Sequence, residues 1–409
     1  MNVELTEKKL LDIENHIQEN YIQSGRFSCG ATLYYHNGKI IDGSLLGLMD
    51  IERNKPVSRD TIFRIYSMTK PVTSVAFMRL FELGLVSLDD PVHKFIPSWK
   101  DLIVYQSGNL NNFFGVPPSQ PMTIKHLLTH QSGLTYGLMS DTKVDQAYRT
   151  LINFADPNSG TLDDLIELLS NLPLLFSPGS AWNYSLSTDV LGYLISVISD
   201  MDFDEYLKKY IFNPLQMMDT DFYVPQEKID RFAANYVSGP SNYTSEQNFS
   251  ENDGLRLIDD PMASIYSTKP SYLSGGGGLV STLDDYMNFS RMLLNKGSLG
   301  DAFILSPETI ELMTKNHIPD NKDLTNFAMQ GIRWAESSFE DVGFGLGFSI
   351  HTTDSAEGSK GQYGWGGAAS TYFWIDPQID LICIFMTQFV PSYTYDIRNE
   401  LKRIVYSIS

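Results

Sequence analysis

Cysteine is nearly absent: Cys29 and Cys383 are the only two in 409 residues. They lie too far apart for a disulfide framework or a zinc-ligand spacing, so they read as buried, reduced thiols and give redox chemistry no support. Basic residues are in deficit, 30 against 49 acidic, for a net charge of −19. That balance argues against nucleic acid or an anionic membrane as partner, because both are polyanions. No run of about 18 apolar residues occurs, so no transmembrane helix and no membrane insertion are expected. At the N-terminus, Leu5, Leu10, Ile13, Ile17 and Ile22 are interleaved with charges. This spacing predicts an amphipathic helix and lacks the apolar core of a secretory signal, so a cytoplasmic protein is the expectation. G-x-S-x-G is missing too, which removes the α/β-hydrolase elbow as a route to a nucleophile.

What is present is enough apolar sequence, 42%, for one large two-lobed domain or two ordinary ones. FSCGATLYYHNGKIIDGSLLG reads as two strands around Asn37-Gly38, a strong hairpin signal. From Thr69 to about 235 the pattern is mostly helical, with Pro and Gly at the joints. Residues 236–272, rich in Ser, Asn, Tyr and Pro, read as a long loop of the kind that forms a lid or binding wall. Strands return in FGLGFSI, TYFWIDP and LICIFMTQ, followed by an amphipathic helix in DIRNELKRIVYSI. The late strands are apolar on both faces, so helices should cover both. The expected fold is α+β: a central antiparallel sheet flanked by helices, built from about 1–75 and 275–409, with a mainly helical lobe of about 76–274 inserted. The short run Ser274-Gly275-Gly276-Gly277-Gly278 reads as a flexible or close-packing loop, too short for a linker.

Three stretches carry chemistry. In FRIYSMTKPVTSV, Ser67 and Lys70 are three apart and share one helical face. Pro71 is tolerated only in a first turn, which puts Ser67 at a helix N-terminus where unpaired N–H groups favour an anionic oxygen. Lysine can deprotonate serine only if its pKa falls from about 10.4 toward neutrality. A bare S-x-x-K arises by chance about once in a chain this long, and alone reads as an ordinary helix start; the two further stretches change that reading. In PGSAWNYSLSTDVLGYL, Tyr184 sits on a turn leading into a helix, where its phenol could shuttle a proton or simply pack. In YGWGGAASTYFWIDP, Gly366 and Gly367 would let a strand edge approach a ligand, so that the N–H of Ala368 could join that of Ser67 in an oxyanion hole; a glycine bulge is the plain alternative. His126 and His130 have the spacing of metal ligands on one helical turn, but no Glu follows His126, so structural roles are expected.

Taken in order, Ser67-Met68-Thr69-Lys70, Tyr184-Ser185-Leu186 and Trp365-Gly366-Gly367 resemble the three active-site motifs of serine β-lactamase-like hydrolases, most closely the family VIII carboxylesterases. IKHLLTHQSGL, FNPLQMMDTDFYVP and LSGGGGLVSTLDDY resemble further segments of that group in the same order. The resemblance implies the class C β-lactamase and DD-peptidase fold, no metal, no cofactor and a covalent acyl-enzyme. It implies Ser67 as nucleophile, Lys70 as base or proton partner, Tyr184 as second proton shuttle, and Ser67 and Ala368 as oxyanion donors. Trp365 would line the acyl or alcohol wall. Two departures stand out. Trp365 occupies the place of the Lys or His that opens the third motif in penicillin-recognising enzymes, and Leu186 the place of the lactamase Asn. Both point to a small-molecule ester as substrate, or to acyl transfer to an alcohol, over a β-lactam or a D-amino-acid amide or peptide. A binding protein that kept the fold without its chemistry is the remaining class.

Overall fold

The computed structural model describes residues 4–110, 112–138, 140–152, 160–239, 254–329 and 339–407. At its centre is an eight-stranded antiparallel sheet in the spatial order Val342–Phe344, Ser349–His351, Tyr363–Gly366, Tyr372–Asp376, Leu381–Met386, Cys29–His36, Lys39–Asp50 and Lys55–Pro56. The two ends of the chain meet in its middle, where Cys29–His36 pairs with Leu381–Met386 from Ala31↔Met386 to His36↔Leu381. The first hairpin turns at Asn37 and Gly38, both with positive φ (49° and 81°), the type I′ geometry that matches strand twist.

Alternation along Leu381–Met386 explains why helices cover both faces. Ile382, Ile384 and Met386 enter the main core with Tyr286, Met287 and Phe289 of the Leu283–Leu294 helix. Leu381, Cys383 and Phe385 enter a second cluster with Ile13 and Ile17 of the Glu7–Ile17 helix and Leu401 and Val405 of the Ile397–Tyr406 helix. Each large side chain so buried contributes about 1.5–3 kcal/mol. Both cysteines are buried and unpaired.

In the part of the chain between the early and late strands, the Thr69–Glu82 helix packs against Ser187–Ser199. Shorter helices start at the threonine caps Thr123, Thr142 and Thr161, each in a capping box. Two segments differ from the sequence expectation. Within the stretch read as mostly helical, Val104–Asn109 and Asn112–Val116 pair as a hairpin; its Gly/Asn turn and Val, Tyr and Phe content favour strand over helix. The segment read as a 236–272 loop begins and continues as strand: Asn235–Ser238 pairs with Leu255–Asp259 on one side and Phe389–Val390 on the other. Residues 240–253 of that segment lie outside the described residues. The glycine run from 275 packs closely, since a Cβ on Gly276 would lie 2.4 Å from Asp189 Oδ2 and 2.7 Å from the Tyr136 hydroxyl. Among the described residues no helix is long and apolar enough to cross a membrane.

Candidate active site

Ser67 lies in a 3-10 turn, Tyr66–Met68, immediately before the Thr69–Glu82 helix. Tyr66 has φ +41°, a left-handed conformation that costs a non-glycine residue on the order of 1 kcal/mol or more. Contacts on either side hold it there. The Tyr66 hydroxyl accepts from Asn235 Nδ2 at 3.1 Å. Arg64, fully buried, donates to Asp259, Ser264, Gln388 and the Ala233 carbonyl, with its guanidinium 3.9 Å above the Phe232 ring. The strand leading into Ser67 is thereby fixed from three directions.

Lys70 follows one helical turn later, 1% exposed. Its Nζ is 3.2 Å from Ser67 Oγ and donates to the Gly276 carbonyl at 2.6 Å. The amine lies 4.5 Å from the Tyr184 ring centroid and 5.1 Å from that of Tyr136. Burial pulls its pKa down to about 7, against the opposing pull of the Asp189 charge. A neutral amine beside a serine hydroxyl is what general-base activation requires.

Tyr184 sits across from that pair, on the turn before the Ser187–Ser199 helix. Its hydroxyl is hydrogen-bonded to Ser67 and accepts from Trp365 Nε1 at 3.3 Å. Burial pushes its pKa up, with those bonds and the Arg398 charge opposing. At neutral pH it is therefore a phenol with a proton to give. Aromatic rings enclose it: Trp182, Tyr136, His130 and Trp365 have centroids within 6.3 Å. Trp365 is only 3% exposed. Its indole turns toward Tyr184 and edge-on to Phe344.

The two glycines of the third motif face different neighbours. A Cβ on Gly366 would lie 2.4 Å from the Arg398 guanidinium, and one on Gly367 would lie 2.4 Å from the Ile65 carbonyl, two residues before Ser67. Protein groups thus stand against both glycines. Ala368, next in the chain, is exposed. Leu186 is buried in the main core.

Several residues in this cluster carry no motif of their own in the sequence. Asp189, 1% exposed, accepts from Tyr272, Ser274 and the Gly276 N–H on a single oxygen, Oδ1. It thereby fixes the loop whose carbonyl holds Lys70. Its partners lie more than 80 residues away in the chain, a separation that periodicity does not bridge. Tyr136 is hidden for the same reason. His126 belongs to the cap of the Ile124–Leu128 helix. His130 bonds Ser185 at 3.0 Å, and burial together with Lys70 keeps its pKa well below the usual value.

The Beta-lactamase family model matches residues 13–405. Protein Rv1367c of Mycobacterium tuberculosis is 34% identical over 91% of this chain and 88% of its own length. Esterase EstB of Burkholderia gladioli is 27% identical, covering 86% of this chain and 83% of its own. Among solved structures, EstCE1, a hydrolase with promiscuous acyltransferase activity, superposes with a TM-score of 0.78 at 26% identity, over 98% of this chain and 99% of its own.

Proposed function

The chain belongs to the Beta-lactamase family, and we propose that it is a serine hydrolase cleaving carboxylic esters of small to medium acyl chains through an acyl-enzyme on Ser67. The observation that carries this reading is the 3.2 Å approach of Lys70 Nζ to Ser67 Oγ, with the amine buried. Similarity to Esterase EstB and EstCE1 supports it.

In the proposed reaction, neutral Lys70 takes the Ser67 proton as Oγ attacks the ester carbonyl carbon. The carbonyl electron pair moves onto oxygen, between the N–H groups of Ser67 and Ala368, where each donor contributes about 2.7–4 kcal/mol to the transition state. As the intermediate collapses, the bond to the alcohol oxygen breaks. Tyr184 gives its proton to that oxygen and recovers one from the Lys70 ammonium. Water then attacks the acyl-enzyme, its proton passing to Lys70, and as the acyl–Oγ bond breaks the Lys70 ammonium returns that proton to Ser67 Oγ, which leaves as the hydroxyl. An alcohol in place of water gives acyl transfer by the same steps, and the likeness to EstCE1 favours keeping that outcome in view. β-Lactam or D-amino-acid amide cleavage is disfavoured, because Trp365 supplies no cation for a substrate carboxylate.

The test is direct. Purified protein and its Ser67→Ala variant are incubated with p-nitrophenyl acetate, p-nitrophenyl butyrate and a chromogenic cephalosporin, with and without an added alcohol, and intact mass is followed. Ester turnover with an acyl adduct in wild type alone supports the proposal. Ester hydrolysis surviving in Ser67→Ala removes it, and faster cephalosporin cleavage transfers the protein to the lactamases.

A further inference from the structure

We infer that Arg398, on the C-terminal helix, is a positioning residue that aims the Ala368 N–H by holding the carbonyl of the same peptide unit. This rests on the hydrolase reading above and on Ala368 as an oxyanion donor. Arg398 is buried, and its Nη2 donates to the Gly367 carbonyl at 2.6 Å and to the Thr371 carbonyl at 3.0 Å. A trans peptide is planar, with its C=O and N–H pointing in opposite directions. The Gly367 carbonyl and the Ala368 N–H share one such plane, so anchoring the first on the guanidinium directs the second away from it. A flip of this peptide would turn a carbonyl oxygen toward the developing oxyanion.

The surroundings fit that task. Thr371 O also accepts from Gly367 N at 2.9 Å, and Gly367 O from Ser370 N at 3.1 Å, so one nitrogen of Arg398 ties both ends of the turn. Gly366 has no side chain where the guanidinium lies, and a Cβ there would come within 2.4–2.6 Å of Cζ, Nη1 and Nη2. On the other side Gly367 abuts the Ile65 backbone, which leads into Ser67. The turn is wedged between the arginine and the nucleophile segment. The guanidinium donates to backbone carbonyls of the protein itself.

The experiment compares wild type, Arg398→Ala, Arg398→Lys and Gly366→Ala on p-nitrophenyl butyrate, with kcat and KM separated. A boronic acid that forms a tetrahedral adduct on Ser67 measures oxyanion binding independently. Misaligning one donor should lower kcat about 10²-fold with little change in KM, and weaken the boronate in parallel. Guanidinium ion added to Arg398→Ala should restore kcat in part, and should fail to do so in the Arg398→Ala, Gly366→Ala double variant, where the added methyl fills its place. Arg398→Lys should retain intermediate activity. If Arg398→Ala does not fold, Gly366→Ala makes the same comparison, since it displaces the tip of the arginine and leaves its charge. Wild-type kcat and boronate affinity in these variants, whatever their melting temperatures, would overturn the inference about Arg398 alone. A wild type that forms no Ser67 adduct would instead remove the hydrolase reading.

Discussion

If Lys70 is the base, turnover must fall as its amine gains a proton, and burial sets the pH at which this happens. The amine is 1% exposed, packed between the rings of Tyr136 and Tyr184 and the Gly276 carbonyl, and its pKa is drawn down to about 7 from 10.5. The nearby tyrosines are pushed far above neutrality and His130 well below it, so neither produces a transition in the same range. The neutral fraction of Lys70 is then about a half at pH 7, a tenth at pH 6 and a hundredth at pH 5. kcat/KM for p-nitrophenyl butyrate should rise with unit slope to a midpoint near 7 and then level off. Asp189→Asn supplies the decisive comparison. The carboxylate raises the Lys70 pKa, while asparagine keeps an acceptor oxygen for Tyr272, Ser274 and Gly276. The midpoint should move to lower pH in that variant, with the plateau less affected. A flat wild-type profile from pH 5 to 9, or an unmoved midpoint in Asp189→Asn, would refute Lys70 as the titrating base.

Tyr184→Phe removes the proposed proton donor at the leaving oxygen and keeps the ring among its aromatic neighbours. Hydrolysis should fall about 10²-fold, most for esters of poor leaving alcohols, whereas an equal loss for p-nitrophenyl and alkyl esters would assign Tyr184 to packing. The buried amine also has a stability signature. Because its folded pKa is lowered, the unfolded chain binds the extra proton between about pH 7 and 10.5, and wild-type stability gains about 1.4 kcal/mol per pH unit through that window. Lys70→Met lacks that term, so in urea titrations its advantage over wild type should shrink as pH rises from 7 toward 10; a constant difference would mean that Lys70 is not desolvated.

Local signals were legible where local rules decide. Asn37-Gly38 announces its hairpin, late strands apolar on both faces announce two covered faces, and the three-residue spacing with Pro71 announces that Ser67 and Lys70 share the start of a helix. The 104–116 hairpin escapes a sequence reading because it lies among helical patterns and its strands mix only half-buried and exposed residues. Composition hides the two paired strands within the 236–272 segment, since Ser, Asn and Pro outweigh Tyr236, Val237, Leu255 and Leu257. Arg398 read as one charge on an amphipathic helix; nothing within its own helix says that the buried guanidinium meets a turn 27 to 31 residues earlier. Gly366 and Gly367 were legible as points of close approach, but which group approaches is a tertiary fact.

That tertiary arrangement explains why two buried arginines stand behind a site with little charge of its own. An oxyanion hole needs two N–H groups aimed at one point, and the two proposed here come from segments about 300 residues apart, one following Arg64 and Ile65, the other following Gly367. Burying a guanidinium is costly unless its donors are satisfied. Arg64 meets that condition through Ala233, Gln388, Ser264 and Asp259, and Arg398 places its Nη2 on the Gly367 and Thr371 carbonyls. Gln388 extends the Arg64 network to the third motif's side of the sheet, since it donates to the Arg64 carbonyl while the next residue, Phe389, donates from its N–H to Ala369. The two donor segments are thus held in register by one continuous set of bonds. On this account the arginines act on the reaction without touching the substrate, by denying two peptide planes their freedom to rotate.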